Sequence, residues 1–225
     1  MEVMKEPLNY YVDGVDRFIV VTVATEDNDE LNRFRDSCKR YNIPYHILGL
    51  GDEWKSGHAE NGVLISQGGA QKVIYLRDFM KTLDNLQDTI VLFTDSYDVV
   101  FNAGPKEIID KFRSMKSPVV FSTEKTCWPD DDIKGMYPTT GSEYKYLNSG
   151  GFIGYGDHIF DVVNKDIPIE EDDQRFYTDY FLNSGGEIPE KLPYNDIKPN
   201  EHESHANGSP FGWMSETYFD ELIYK

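Results

Sequence analysis

TIVLFTDSYD, residues 89–98, decides the fold. Its first six residues are β-branched or apolar with no polar alternation, the pattern of a strand covered on both faces. The strand runs straight into Asp95. Working outward, Phe18 to Thr25 (FIVVTVAT) is a second run of the same kind and reads as a central strand that starts the sheet. Asp27, Asn28 and Asp29 then offer N-caps for a helix to about Tyr41, with Leu31, Phe34, Cys38 and Tyr41 on one stripe. Pro44 stops that helix and opens another strand, PYHILGLG. Val73, Leu76, Phe79, Met80 and Leu83 predict a helix from Gln71, Pro105 to Met115 predicts a third, and Pro118 to Ser122 reads as a further strand. Strand and helix alternate. The expectation is an α/β sandwich with a mostly parallel central sheet, whose ligands sit at the carboxyl ends of the strands.

Between these elements, Gly51 to Gly69 holds five glycines and little periodicity and reads as a long loop. Beyond Trp128 the chain is polar until LNSGGFIGYG, where Phe152 and Ile153 read as a short strand. Residues 157–165 and 172–182 read as helices, and Asn183 to Asn200 has no usable period. The expected division is an N-terminal extension over 1–17 and one domain over 18–225, long enough to bury roughly 70% of its unfolded surface.

The charge sum is 22 minus 40, or −18, with no basic run to interrupt it. That excludes a nucleic-acid partner held by counterion release, and a basic membrane-surface patch as well. No apolar stretch approaches the roughly 18 residues of a membrane span. The opening MEVMKEPLNYYVDG lacks the apolar core of a signal peptide, so the chain reads as cytosolic or as a piece of a longer secreted or lumenal protein. Cys38 and Cys127 stand far apart, which gives neither a zinc cage nor a disulfide framework.

Asp95 and Asp98 follow a buried strand; an isolated DxxD is usually a turn cap with a solvated acid, but two carboxylates at the end of a buried strand, with Tyr97 between them, repel unless a cation lies between them. An oxygen pair suits Mg²⁺ or Mn²⁺, and an added histidine favours Mn²⁺. A protein at −18 that holds a diphosphate needs a local positive source, which a divalent ion supplies most compactly. Lys72, in the first turn of the helix after Gly68 and Gly69, is a second source. Tyr97 offers a flat ring at the same strand end, and Trp54 and Trp128 lie in loops where they could stack on a base or a sugar, although a lone tryptophan more often anchors a core. The acidic cluster Glu170 to Gln174 fits helix-dipole stabilisation, and a carboxylate and an amide at that helix start can also bind sugar hydroxyls.

Taken together, GLGDEW at 49–54, GGAQK at 68–72, DSYD at 95–98, FSTEKTCWP at 121–129, YLNSGGFIG at 146–154, DDQ at 172–174 and HANG at 205–208 resemble the glycosyltransferase domain of the multifunctional procollagen lysyl hydroxylases, a family of animal and giant-virus collagen glucosyltransferases. The resemblance implies a GT-A, Rossmann-like fold that uses Mn²⁺ and UDP-glucose to glucosylate hydroxylysine or galactosyl-hydroxylysine of collagen. It implies metal ligation by Asp95, Asp98 and His205, uridine contacts from Trp54 and Tyr97, and diphosphate contacts from Lys72, Asn207 and Gly208. Trp128, Asn148, Asp172 and Asp173 would line the sugar and acceptor side. It further implies a possible fused lysyl hydroxylase domain, and residence in the endoplasmic reticulum lumen for an animal protein or in the host cell or virion for a viral one. HANG stands where the family pattern is expected to read HGNG. Only 30 residues separate Gln174 from His205, without the apolar strand expected there. The competing functions are a hydroxylysine galactosyltransferase using UDP-galactose and a non-catalytic module that binds UDP-sugar or collagen. A nicotinamide enzyme fits poorly, because TEDNDE and not a glycine-rich turn follows the first strand.

Overall fold

The computed structural model describes residues 10–12, 16–60, 63–66, 68–137, 139, 143–184, 213–214 and 223–224. Strand β1 (Tyr10–Val12) turns back onto β2 (Asp16–Val23), so part of the expected N-terminal extension lies on the edge of the sheet. Helix α1 (Asp29–Arg40) starts at Asn28, whose side chain accepts from the Leu31 N–H at 2.9 Å. Then come β3 (Tyr45–Leu48), β4 (His58–Glu60), β5 (Val63–Ser66) and α2 (Ala70–Met80). The central strand β6 (Thr89–Thr94) is followed by β7 (Val100–Phe101), α3 (Pro105–Ser114), β8 (Val119–Glu124) and β9 (Tyr146–Tyr155). Helices α4 (Gly156–Val163) and α5 (Asp173–Asn183) follow, with two short strands, β10 (Trp213–Met214) and β11 (Ile223–Tyr224), beyond them.

In the main sheet β1 and β3 share one edge of β2, and the order continues through β6, β9 and β8 to β10. Strands β3, β2, β6, β8 and β10 point the same way; β9 runs against both β6 and β8, and β1 against β2. The sheet is therefore mostly parallel, as its uninterrupted apolar strands require.

Each strand divides its side chains between two cores. Ile19, Val21, Val23, Val91 and Phe93 pack with α2, α4 and α5, whereas Phe18, Val20, Ile90 and Leu92 pack with α1 and α3. Burial on both faces is why β6 lacks alternation. On the first face Phe152 of β9 sits with its ring 5.0 Å from Phe93, 4.8 Å from Phe121 and 5.1 Å from Tyr177. This cluster locks α5 against three strands.

Two segments differ from the sequence reading. The long loop over 51–69 contains an antiparallel ribbon, β4 with β5. Strand β9 extends well beyond Phe152 and Ile153, because Tyr146 to Asn148 pair with the end of β8 across a bulge that leaves Ser149 to Gly151 opposite no β8 residue. Polar, glycine-rich sequence hides such a bulge, since its partners lie on other strands.

Gly154 is a packing requirement of the same strand: an added Cβ would lie 2.7 Å from the Pro118 carbonyl oxygen and 3.0 Å from Val119. Gly154→Ala is expected to destabilise the fold by about 1–3 kcal/mol. Gly135→Ala, whose Cβ would meet nothing within 4 Å, should stay within about 0.5 kcal/mol of the parent. Urea unfolding of both variants checks the contrast, and equal midpoints would refute it.

Candidate active site

The carboxyl ends of β2, β3 and β6, the end of β8, the bulge of β9 and the N-termini of α2 and α5 meet on one side of the sheet. Hydrogen bonds place Asp95 there: its N–H donates to the Gly150 carbonyl at 2.9 Å, and the Ser96 hydroxyl donates to the Val23 carbonyl at 3.0 Å. Lys72 Nζ lies 2.8 Å from Asp95 Oδ1 and 3.5 Å from Asp173 Oδ2. One ammonium thus links the end of β6 to the first residue of α5.

Asp173 is buried, and its Oδ2 has no hydrogen-bond partner beyond that ion pair. Burial pushes its carboxyl above the usual range; Lys72 opposes this, and the nearby Asp95 and Asp172 carboxylates add to it. For Lys72, burial acts to lower the pKa, but Asp95 and Asp173 together outweigh it and hold the ammonium above its ordinary value. The lysine therefore stays charged while two acids share it. Gly69 is demanded by this arrangement, since a Cβ there would fall 2.0 Å from Asp173 Oδ1. The Gly69 and Ala70 N–H groups both donate to the Glu171 carbonyl at 3.1 Å, which clamps the two helix starts together.

On the β3 side, the loop carrying Trp54 is fastened to α2. Gln71 Nε2 donates to the Glu53 carbonyl at 3.0 Å, and Gln71 Oε1 accepts from the Lys55 N–H at 2.6 Å. Trp54 itself is 37% exposed. The Tyr97 hydroxyl accepts from the Thr25 and Glu26 N–H groups at 3.0 and 2.8 Å, so its ring is tied to the loop that follows β2.

On the β8 side a polar network replaces apolar packing. Glu124 Oε1 accepts from Asn148 Nδ2 at 3.2 Å and from Gln174 Nε2 at 2.7 Å. Gln174 also donates to the Trp128 carbonyl at 3.1 Å and accepts from the Ser149 N–H at 3.1 Å. Asn148 Oδ1 accepts from Gly150 N–H at 3.0 Å, which returns the network to the residue that fixes Asp95. Trp128 is 56% exposed, so an open aromatic face stands beside these polar groups.

Lys72, Asp95, Asp173, Asn148 and Trp128 are thus joined by one chain of contacts, with Trp54 attached through Gln71. Asp172 is the N-cap of α5, its Oδ1 accepting from the Arg175 N–H at 3.0 Å. Asp98 is exposed on the turn after β6. His205, Asn207 and Gly208 lie outside the described residues. Among the described residues no group of three or more His, Cys, Asp and Glu is placed to hold a metal ion. Sequence reasoning missed Gln71 and Glu124 as parts of the site, and read the Gln174 amide as a sugar-hydroxyl contact where the structure bonds it to Glu124, Ser149 and Trp128. All three lie inside the motif blocks, but a buried amide gives no periodic signal, and its partners are distant in sequence.

The description "PLOD GT domain" matches residues 14–191 of this chain. Mouse (Mus musculus) procollagen-lysine,2-oxoglutarate 5-dioxygenase 2 is 39% identical over 168 residues, covering 74% of this chain and 22% of that protein. Human (Homo sapiens) multifunctional procollagen lysine hydroxylase and glycosyltransferase LH3 is 38% identical over 181 residues, 80% of this chain and 24% of that protein. Mouse procollagen-lysine,2-oxoglutarate 5-dioxygenase 1 is 40% identical over 169 residues, 75% and 23% of the two chains. The chain spans less than a quarter of the length of these curated relatives. With most of its residues matched, and with five strands of its sheet pointing one way between two helical layers, the chain belongs to the PLOD GT domain family, glycosyltransferase domains of GT-A, Rossmann-like α/β fold.

Proposed function

We propose that this domain transfers glucose from UDP-glucose to hydroxylysine or galactosyl-hydroxylysine of a collagen-like peptide. The observation that carries this reading is Lys72 held between Asp95 and Asp173 at the strand ends, flanked by the exposed rings of Trp54 and Trp128. Family membership supplies the reaction class, and the human relative's name joins lysine hydroxylase to glycosyltransferase.

The residues fit a divalent ion. Asp95 and Asp173 bring two carboxylates against one lysine, and the buried Asp173 Oδ2 has no hydrogen-bond partner, so negative groups outnumber the positive one there. Asp95 and Asp98, with His205, would hold Mn²⁺, whose oxygen and imidazole preferences match that set. Bound there, the ion supplies Lewis-acid stabilisation of the departing diphosphate. Lys72 adds a second positive charge on the same side, within reach of a phosphate once it releases Asp95. Trp54 and Tyr97 hold the uracil ring, and the family resemblance would give the diphosphate contacts to Asn207 and Gly208. Trp128 stacks on a hexose face, Asn148 donates to a sugar hydroxyl, and Glu124 and Gln174 keep Asn148 and the Trp128 backbone in place. Asp173 accepts from a donor-sugar hydroxyl, while Asp172 remains bound to its own helix. The excess acidity of the chain suits an acceptor rich in lysine-derived amines and arginine, whose encounter it would speed.

UDP release with a hydroxylysine-containing peptide tests this reading. Release is expected with UDP-glucose and Mn²⁺, to be lost on adding chelator or in Asp98→Ala, and to exceed release from UDP-galactose. Unaltered turnover under chelator would contradict the metal, and a faster reaction with UDP-galactose would make the domain a galactosyltransferase. If UDP-sugar and peptide bind without release of UDP, it is a binding module.

Asp173→Asn separates chemistry from folding. Turnover should fall by about 10²-fold, the scale of removing one transition-state contact. Because burial raises the Asp173 carboxyl above its unfolded value of roughly 4, its contribution to stability is fully present below that pH and lost as pH rises through the folded value. The asparagine variant should therefore gain stability relative to the parent as pH increases from acid towards neutral. Denaturant unfolding at several pH values reads the difference, and a gap that narrows with rising pH would show the sign to be wrong.

A further inference from the structure

We propose that Gln71 is a positioning residue for the nucleotide, holding Trp54 at the angle and depth at which its ring receives a base. The proposal rests on the reading of Trp54 as the uridine contact and extends it to the residue that sets Trp54.

Gln71 is 3% exposed and lies in the first turn of α2, next to Lys72. Its carboxamide bonds the backbone on both sides of Trp54, donating to the Glu53 carbonyl at 3.0 Å and accepting from the Lys55 N–H at 2.6 Å. An N–H can only donate and a carbonyl can only accept, so these partners fix which end of the amide is oxygen. The second Nε2 proton goes to the Tyr75 hydroxyl at 2.8 Å, and that hydroxyl donates to Asp52 Oδ2 at 2.8 Å. The Gln71 N–H donates to Ser56 Oγ at 2.7 Å, and Ser56 in turn donates to the Ile169 carbonyl at 3.0 Å. Residues 52, 53, 55 and 56 are therefore all fixed, directly or through one side chain, by Gln71.

Few side chains satisfy this geometry. A glutamate keeps the bond from Lys55 but turns a negative oxygen towards the Glu53 carbonyl; a leucine of similar length leaves both backbone groups unmade. Helix α2 also carries Lys72, so the amide ties the base-binding ring and the phosphate-side ammonium to one rigid turn. A ring held in advance binds without first being ordered, which is where affinity is gained.

The test uses UDP as the probe and the variants Gln71→Leu, Gln71→Glu, Trp54→Ala and Gln71→Leu/Trp54→Ala. Trp54→Ala is expected to weaken UDP binding about tenfold, the scale of one base–aromatic stack. Gln71→Leu should weaken it nearly as much, and the double variant no more than Trp54→Ala alone, because one residue acts through the other. In turnover, Gln71→Leu should raise KM for UDP-glucose about tenfold with kcat within about threefold. Additive losses in the double variant, or a fall confined to kcat, would overturn the proposal. A readout without ligand separates the two layers: in a Trp128→Phe/Trp213→Phe background, acrylamide quenching of Trp54 should increase on Gln71→Leu. Unchanged quenching in both Gln71 variants would sink the positioning role. Increased quenching with UDP affinity untouched by Trp54→Ala would sustain the hold on Trp54 and overturn its role in binding nucleotide.

Discussion

A single ammonium, Lys72, sits between Asp95 at the end of β6 and Asp173 at the start of α5. Removing three charges from water carries a desolvation cost that their attraction offsets only when the geometry is good. Here the geometry comes from elements fixed for other reasons. Asp95 is set by its bond to the β9 bulge, Asp173 by the aromatic cluster that anchors α5, and Lys72 by the first turn of α2. The balance is uneven. Two acids share one lysine, and the more deeply buried of them carries the raised pKa. Such a centre is poised to accept further positive charge or a hydrogen-bond donor, which a purely structural ion pair would not need.

The surrounding polar groups make sense as consequences of that placement. The bulge in β9 exposes backbone groups that a regular ladder would have consumed; Gln174 and Asn148 take up the Ser149 and Gly150 N–H groups, and Glu124 holds those two side chains together. Because Asn148 and Gln174 are each bonded through both amide atoms and Glu124 joins them, the backbone at Trp128 is held although little apolar material lies there. On the opposite side Gln71 and Tyr97 perform the same service for the loops after β3 and β2. The open aromatic rings are thus carried on backbone anchored by side-chain hydrogen bonds. Stacking surfaces on mobile loops would lose much of their binding energy to ordering.

Family membership and geometry speak to different things. The match over residues 14–191 identifies the kind of domain, and the curated relatives are several times longer than this chain. The arrangement at the strand ends concerns where binding and chemistry are placed within the domain. The proposal of a nucleotide-sugar donor rests on those aromatic rings and carboxylates, and the proposal of glucose over galactose rests on the family resemblance.

The sequence by itself determined the layered α/β architecture, because TIVLFT and FIVVTVAT have no wet face and must lie in the middle of a covered sheet. It also marked Asp95, Lys72, Asp173 and Trp128, since acids, a lysine and an aromatic beside strand and helix ends stand out from their surroundings; Asn148 came only with the family resemblance of its LNSGGFIG block. Tertiary structure alone decided the rest. The ribbon within 51–69 and the full length of β9 depend on pairing between distant segments, which local composition does not encode. That Asp172 caps its helix while its neighbour Asp173 turns inward to Lys72 depends on which of two adjacent acids faces the sheet. The buried amides Gln71 and Gln174 became legible only when their partners were in place, because a hydrogen bond is made by distance and direction, not by order along the chain.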